Sequence, residues 1–235
     1  MNSICIGGRM APWKLRFSSR LKKIYIQVHP QEGLIVRAPL GYTVSDVAKV
    51  MAQQEKALAA KIAAISRRCP LREYASGQRL PYLGEEVVLY LHPCDGRAYA
   101  QWHEAKIDLF LNPHEQNRES VRTCLNQLYL ERAKKCLPPW VDKLNGLHFR
   151  HRVNRVSVKS QASLLGSCSS RGNVNLNWRL LLAPLEVVDY VIIHELAHMA
   201  EMNHSPRFWR VVEGACPQYR QQRAWLKDMS ATLYI

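Results

Sequence analysis

The stretch that most restricts this chain is "VVDYVIIHELAHMAEMNHSPRFW", residues 187 to 209. Its apolar residues read as a buried helix, yet three histidines and a glutamate interrupt them. Burying such groups is costly unless each is paired, hydrogen-bonded or bound to a metal. Positions four apart on an α-helix lie about 40° apart in angle and ~6 Å along the axis. His194 and His198 therefore project from one face, one turn apart, where two imidazoles can grip one zinc ion. Glu195 sits beside them, able to reach water at such an ion without ligating it. Pro184 fits the first helical position and Glu186 the first turn.

A catalytic zinc takes three protein ligands and keeps a fourth position open. His204 is the expected third ligand, six residues past His198, so the helix must end and the chain turn back. Asn203 is expected to make that turn in the left-handed conformation. Ser205 and Pro206 then read as the N-cap and first residue of a new helix, "PRFWRVVEGAC". Glu201 and Glu213 are the rivals: Glu201 shares the metal face one turn further on, and Glu213 reads as a solvated helix residue. The spacing His194, His198, His204 matches that of metzincins, but those have Gly where this chain has Glu201, and no Met-turn follows. Met229 and Tyr190 both read as core residues.

At 235 residues and 47% hydrophobic content, the chain can bury a substantial core. No run of 18 apolar residues is present, which excludes a helical membrane span, and the first residues lack the pattern of a signal peptide, so a cytoplasmic location is expected. Seven scattered cysteines without a C-x-x-C pair argue against a disulfide framework or a cysteine zinc knuckle; they are expected to be reduced thiols, mostly in the core. The net charge of +14 divides as +6 over residues 1–117 and +8 over residues 118–235, a diffuse excess that favours polyanions.

The first half reads as β-rich with one helix. "KKIYIQV" and "LIVRAP" flank the turn "HPQEG" as a hairpin, and Thr43 with Asp46 is spaced as a capping box for the helix that follows. Strands near 80–83, 86–92, 97–103 and 106–111 suggest a short meander broken by Gly84 and "PCDG". "NPHEQ" is the best boundary candidate. Beyond it Val121, Cys124, Leu125, Leu128 and Cys136 mark an amphipathic helix ended by Pro138 and Pro139. "RVNRVSVK" and a hairpin turning near "SRGN" follow. The resulting division is an extension over 1–10, a β-rich half over 11–113, and a domain over 114–235 that carries the histidines. No internal repeat is visible.

The block "GSCSSRGNVNLNWRLLLAPLEVVDYVIIHELAHMAEMNHSPRFW" resembles the YgjP-like metallopeptidase family, relatives of SprT-like zinc proteases. "KKIYIQV…GLIVRAP" and "LPYLGEE" also look like that family's front half. The resemblance implies an α+β fold: a zincin-like core with an active-site helix against a small antiparallel sheet, preceded by the β-rich half. It also implies a zinc-dependent hydrolase with His194, His198 and His204 as ligands and Glu195 as base. The family usually has Trp before its Gly-Ser-Cys-Ser; here Leu165 stands there.

The expected chemistry is hydrolysis of a peptide bond, zinc lowering the pKa of water from 15.7 to about 7 and Glu195 shuttling the proton. "GSCSS" is either a tight hairpin chosen for small volume or a strand edge to which a peptide adds. Cys168 has no readable partners for a nucleophile, and Asn175 and Asn177 alternate on one face, toward a cleft or toward solvent. Two other substrates stay open. A nucleotide phosphoanhydride or another small anion is suggested by the charge, and DNA by analogy with SprT relatives and by "HFRHRVNR".

Overall fold

The computed structural model describes residues 2–30, 33–68, 73–161, 164–229 and 233. The chain forms two compact units, the first reaching Arg72 and the second beginning at Glu73.

In the first unit, β1 (Asn2–Ile6) and β2 (Arg9–Ser18) form a hairpin around Gly7 and Gly8, with φ of 56° and 75°. Two consecutive positive φ angles match the twist of a two-residue hairpin, and glycine reaches them without strain. Residues 1–10, expected as an extension, thus belong mostly to a sheet. β3 (Tyr25–His29) pairs antiparallel with β4 (Gly33–Pro39), as the sequence predicts; part of the turn between them lies outside the described residues. β4 also runs parallel to β2, giving the order β1-β2-β4-β3. The expected single helix is two, α1 (Val44–Gln53) and α2 (Glu55–Arg68), separated at Gln54, whose φ of −101° and ψ of 13° bend the backbone. The Thr43–Asp46 capping box is present. Trp13, Leu34, Val36, Val47, Met51 and Leu58 form this unit's core.

The second unit opens with the same pattern. β5 (Gln78–Tyr82), β6 (Glu85–Pro93), β7 (Tyr99–His103) and β8 (Lys106–Leu111) occupy the expected segments, but they lie in the order β5-β6-β8-β7. The sheet is not a meander: β6 and β8 are parallel neighbours, and β7 crosses to the outer edge. Each unit therefore begins as two hairpins joined through a central parallel pair, a repeat of topology that the residues themselves do not display.

The long helix α3 (Arg118–His148) buries Val121, Leu125, Tyr129, Ala133, Leu137, Val141 and Leu144, a stripe at steps of four and three that fits one helix face. It runs through Pro138 and Pro139, which the sequence reading takes as its end. The two missing N–H groups would have bonded to the carbonyls of Lys134 and Lys135, exposed residues at a stretch where water can substitute. Buried Leu137, Val141 and Leu144 carry the packing across the break. Because β7 and β8 pack on α3, the division expected at residue 113 falls inside the second unit.

β9 (Arg155–Lys159), β10 (Gly166–Cys168) and β11 (Asn173–Asn177) form a sheet in the order β10-β11-β9. It is mixed, not antiparallel as expected: β10 and β11 make the predicted hairpin, but β9 enters from α3 and pairs parallel to β11. This leaves β10 at an edge. Three helices complete the unit: α4 (Leu185–Ala197), α5 (Pro206–Ala215) and α6 (Tyr219–Met229). Pro184, expected as the first helical residue, is the N-cap of α4, which begins one residue later at Leu185.

The six described cysteines are all free, but none is fully buried: Cys5 is exposed and the other five are half-buried, so they flank the core instead of filling it. Met229, expected in the core, is 39% exposed at the end of α6.

Candidate metal centre

α4 is the most enclosed helix near the site, packing against α3, α5, α6, β10 and β11. Val187, Val188, Val191, Ile192, Ile193 and Leu196 are buried on several sides, so its path is fixed by packing all round. The Trp140 indole donates to Asp189 Oδ1 at 2.7 Å, tying α3 to α4. Tyr190 is buried as expected, its ring 5.8 Å from that of His194.

His194 lies in the last turn of α4 and His198 caps its C-terminus. The chain then turns back. Asn203 does not take the expected left-handed conformation; its carbonyl instead accepts from Ser205 N at 2.7 Å. Ser205 caps α5, accepting from Phe208 N at 3.3 Å, and Pro206 opens the helix, as predicted. This return places His204 Nε2 only 3.1 Å from His194 Nε2. One ring nitrogen each from His194, His198 and His204 lies within 4.8 Å of the others.

A metal fits this arrangement. Zinc–nitrogen bonds of 2.0–2.1 Å in tetrahedral geometry set ligand nitrogens roughly 3.3 Å apart. The His198 Nδ1–H donates to the Glu201 carbonyl at 3.2 Å, leaving Nε2 as the free lone pair. Burial, then the electrostatic influence of His198, His204 and Arg223, pushes the His194 imidazole down to about 3. Burial also lowers His198. Neutral imidazole is the ligating form. His194 Nδ1 is buried without a hydrogen-bond partner among the described residues.

The rivals are placed elsewhere. Glu201 offers its carbonyl to His198 while its carboxylate sits 3.9 Å from Arg207 Nε, and Glu213 pairs with Arg220 at 2.7 Å. Glu195 is 6% exposed and stands outside the three-histidine cluster; burial pushes its carboxyl up to about 8. β10 lies directly against it. A Cβ on Gly166 would fall 2.5 Å from Glu195 Oε1, so glycine there makes room for the carboxylate. Burial, reinforced by Glu195, raises the Cys168 thiol to about 11, which removes any thiolate nucleophile at neutral pH.

Asn175 and Asn177 divide. Asn175 donates to Ser167 Oγ at 3.2 Å across the hairpin. Asn177 is 1% exposed and works as a clamp, donating to the carbonyls of Gln161 and Leu164 and accepting from Arg179 N. It holds both ends of the approach to β10 and does not face a cleft.

Two aromatic residues escaped the sequence reading. The buried Phe208 ring stands 4.9, 4.6 and 4.7 Å from those of His194, His198 and His204, a common backing for all three. Trp209 lies 5.9 Å from His194 and 5.7 Å from His204. The signal was present in Ser205: an N-cap immediately after His204 puts residues 208 and 209 on the first turn of α5, next to the returning histidine.

A family model described as "YgjP-like, metallopeptidase domain" matches residues 22–229. The chain belongs to the YgjP-like metallopeptidase family. Membership implies a metal ion and a hydrolase acting on peptides, and in this YgjP-like chain the three-histidine cluster can hold such an ion. No curated protein matches. Among solved structures it is similar to the metallopeptidase zymogen of Pyrococcus abyssi, abylysin, at 26% identity over 38% of this chain and 89% of that one. The TM-score is 0.34, a likeness too loose for structural inference. Among the described residues no helix is long and apolar enough to cross a membrane.

Proposed function

We propose that this YgjP-like protein is a zinc-dependent peptidase in which His194, His198 and His204 hold the ion and Glu195 is the general base. The observation that carries the reading is the convergence of three imidazole nitrogens within 4.8 Å, with the glutamate next in sequence kept out of the cluster. When bound, zinc would supply a Lewis acid that polarises the scissile carbonyl and acidifies water to a pKa near ~7.

The chain's own residues do the rest. The charge of a bound ion would favour the ionised form of the Glu195 carboxyl, which burial alone raises to about 8. As a carboxylate it takes the proton from the attacking water and returns it to the leaving amine. Its buried position strengthens its electrostatic interactions and keeps bulk water from competing. Gly166 keeps the space beside the carboxylate open. Among the described residues β10 has one edge without a strand partner, and its main-chain groups are suited to an extended peptide laid alongside as an added strand. His198 is held in one tautomer by the Glu201 carbonyl, and Phe208 backs all three imidazoles.

The test combines metal analysis with a substrate panel. Glu195→Gln is expected to retain one zinc per chain and to lose turnover by roughly 10²–10⁴-fold, the usual contribution of a positioned base. Undiminished turnover would remove Glu195 from the mechanism. The net charge of +14 favours a second reading, a nucleoside triphosphate substrate, and the DNA-associated alternative rests on the SprT analogy and "HFRHRVNR". Hydrolysis confined to triphosphates would replace the peptidase reading; steeply salt-dependent DNA binding would support the DNA-associated one.

A further inference from the structure

Tyr219, Arg223 and Lys227 recur every fourth residue on α6 and therefore share one helix face. With Arg220 and Ala224 they line a cavity of about 460 Å³. Arg220 is neutralised by Glu213 at 2.7 Å, whereas neither Arg223 nor Lys227 pairs with a carboxylate among the described residues. The Arg223 guanidinium lies over the Trp209 ring, 4.6 Å from its centroid. Tyr219 stacks on the same indole, centroids 5.3 Å apart and planes 16° from parallel. Trp209 in turn contacts the rings of His194 and His204. One indole thus separates Arg223 from the metal cluster, and the charge on Arg223 is felt at both His194 and Tyr190.

We propose that Arg223, with Lys227 beyond it, is a subsite for a carboxylate carried by the peptide substrate, so that the enzyme prefers acidic peptides. This rests on the peptidase reading above and names its substrate class. The indole pins the guanidinium by cation–π contact and fixes its plane, while its N–H groups stay available for a bidentate carboxylate. The guanidinium is 4.6 Å from the Trp209 centroid and that ring is 5.7 Å from the His204 ring, a span that about three extended residues at ~3.3 Å each can cover. The carboxylate has two possible sources, an Asp or Glu side chain and the chain terminus; both use the same fork.

Four peptides distinguish them: a Glu-containing sequence with a free or an amidated C-terminus, and its Gln counterpart with the same two ends. Wild type is expected to cleave at least one acid-bearing peptide with kcat/KM ~10–100-fold above the fully neutral one. Arg223→Gln should abolish that ratio, lowering kcat/KM for the acidic peptides far more than for the neutral one, and Arg223→Lys should restore part of it. A variant that loses neutral and acidic substrates alike would make Arg223 a packing residue and overturn the proposal, as would a wild type indifferent to charge. A second readout separates this from the peptidase reading. The metal-free protein should bind the acidic peptide, followed by tryptophan fluorescence, at least tenfold more tightly than Arg223→Gln does. Equal binding by both overturns the subsite. Charge-selective binding without cleavage of any peptide retains the subsite and overturns the peptidase reading.

Discussion

A single missing side chain sets the geometry beside the base. Gly166→Ala places a methyl carbon within 2.5–2.8 Å of three Glu195 atoms, so the carboxylate must move. The expected outcome is a stability loss of about 1–3 kcal/mol in urea unfolding, typical of overpacking, with the zinc content kept and turnover sharply reduced. Phe208→Ala removes the shared backing of three imidazoles and should cost roughly 3–5 kcal/mol, along with weaker zinc binding in a chelator competition. These two residues also mark what the sequence can disclose at this scale. His194 and His198 are legible because they share one helix face, His204 because it follows within six residues, and Glu195 because it adjoins His194. Phe208 and Gly166 are not, since one needs the return of α5 and the other the docking of β10 before it touches anything relevant. Leu165, where the family usually has Trp, is half-buried against the core, and nothing in the structure explains the exchange.

Helix and strand limits depend on whether the deciding interaction is near or far in the chain. The Thr43 cap of α1 is local, and the sequence reveals it. Thr43→Ala should cost about 1 kcal/mol. The hydrogen bonds from Thr43 lower the Asp46 carboxyl below its ordinary 3.8, so the stability that its carboxylate contributes is complete above that value. It disappears as pH falls through the lowered folded value. Urea midpoints of wild type and Asp46→Asn should accordingly differ at neutral pH and converge in strong acid. Asn177 is the contrasting case. Two of its hydrogen bonds join the end of β11 to the approach to β10 and a third holds Arg179 N, and Asn177→Ala should destabilise the fold by roughly 1–3 kcal/mol, because all three bonds of a buried side chain are lost. Nothing near Asn177 in the sequence announces that clamp. The same limit hid the continuity of α3 through two prolines, where long-range packing outweighs a local signal.

For the chain as a whole, each unit has its own core, so residues 73–235 expressed alone are expected to unfold in one transition and bind zinc. Free zinc at a hundredfold excess over its dissociation constant should raise stability by about 2.7 kcal/mol, read as a rise in Tm that EDTA reverses. A fragment that stays unfolded with zinc would show the units to be interdependent. The sequence puts the boundary near residue 113 because "NPHEQ" is a turn-rich break, while the two compact units divide between residues 72 and 73 by packing that no local window contains. The doubled arrangement of hairpins has a kinetic consequence. Each hairpin closes between neighbours and can assemble on a microsecond scale, but the inner seams join Trp13 to Leu34 and Val88 to Lys106, distant partners whose loop entropy must be met first. Both units should therefore wait on the middle of a sheet, and substitutions along those two seams should slow refolding more than equal losses at the outer edges.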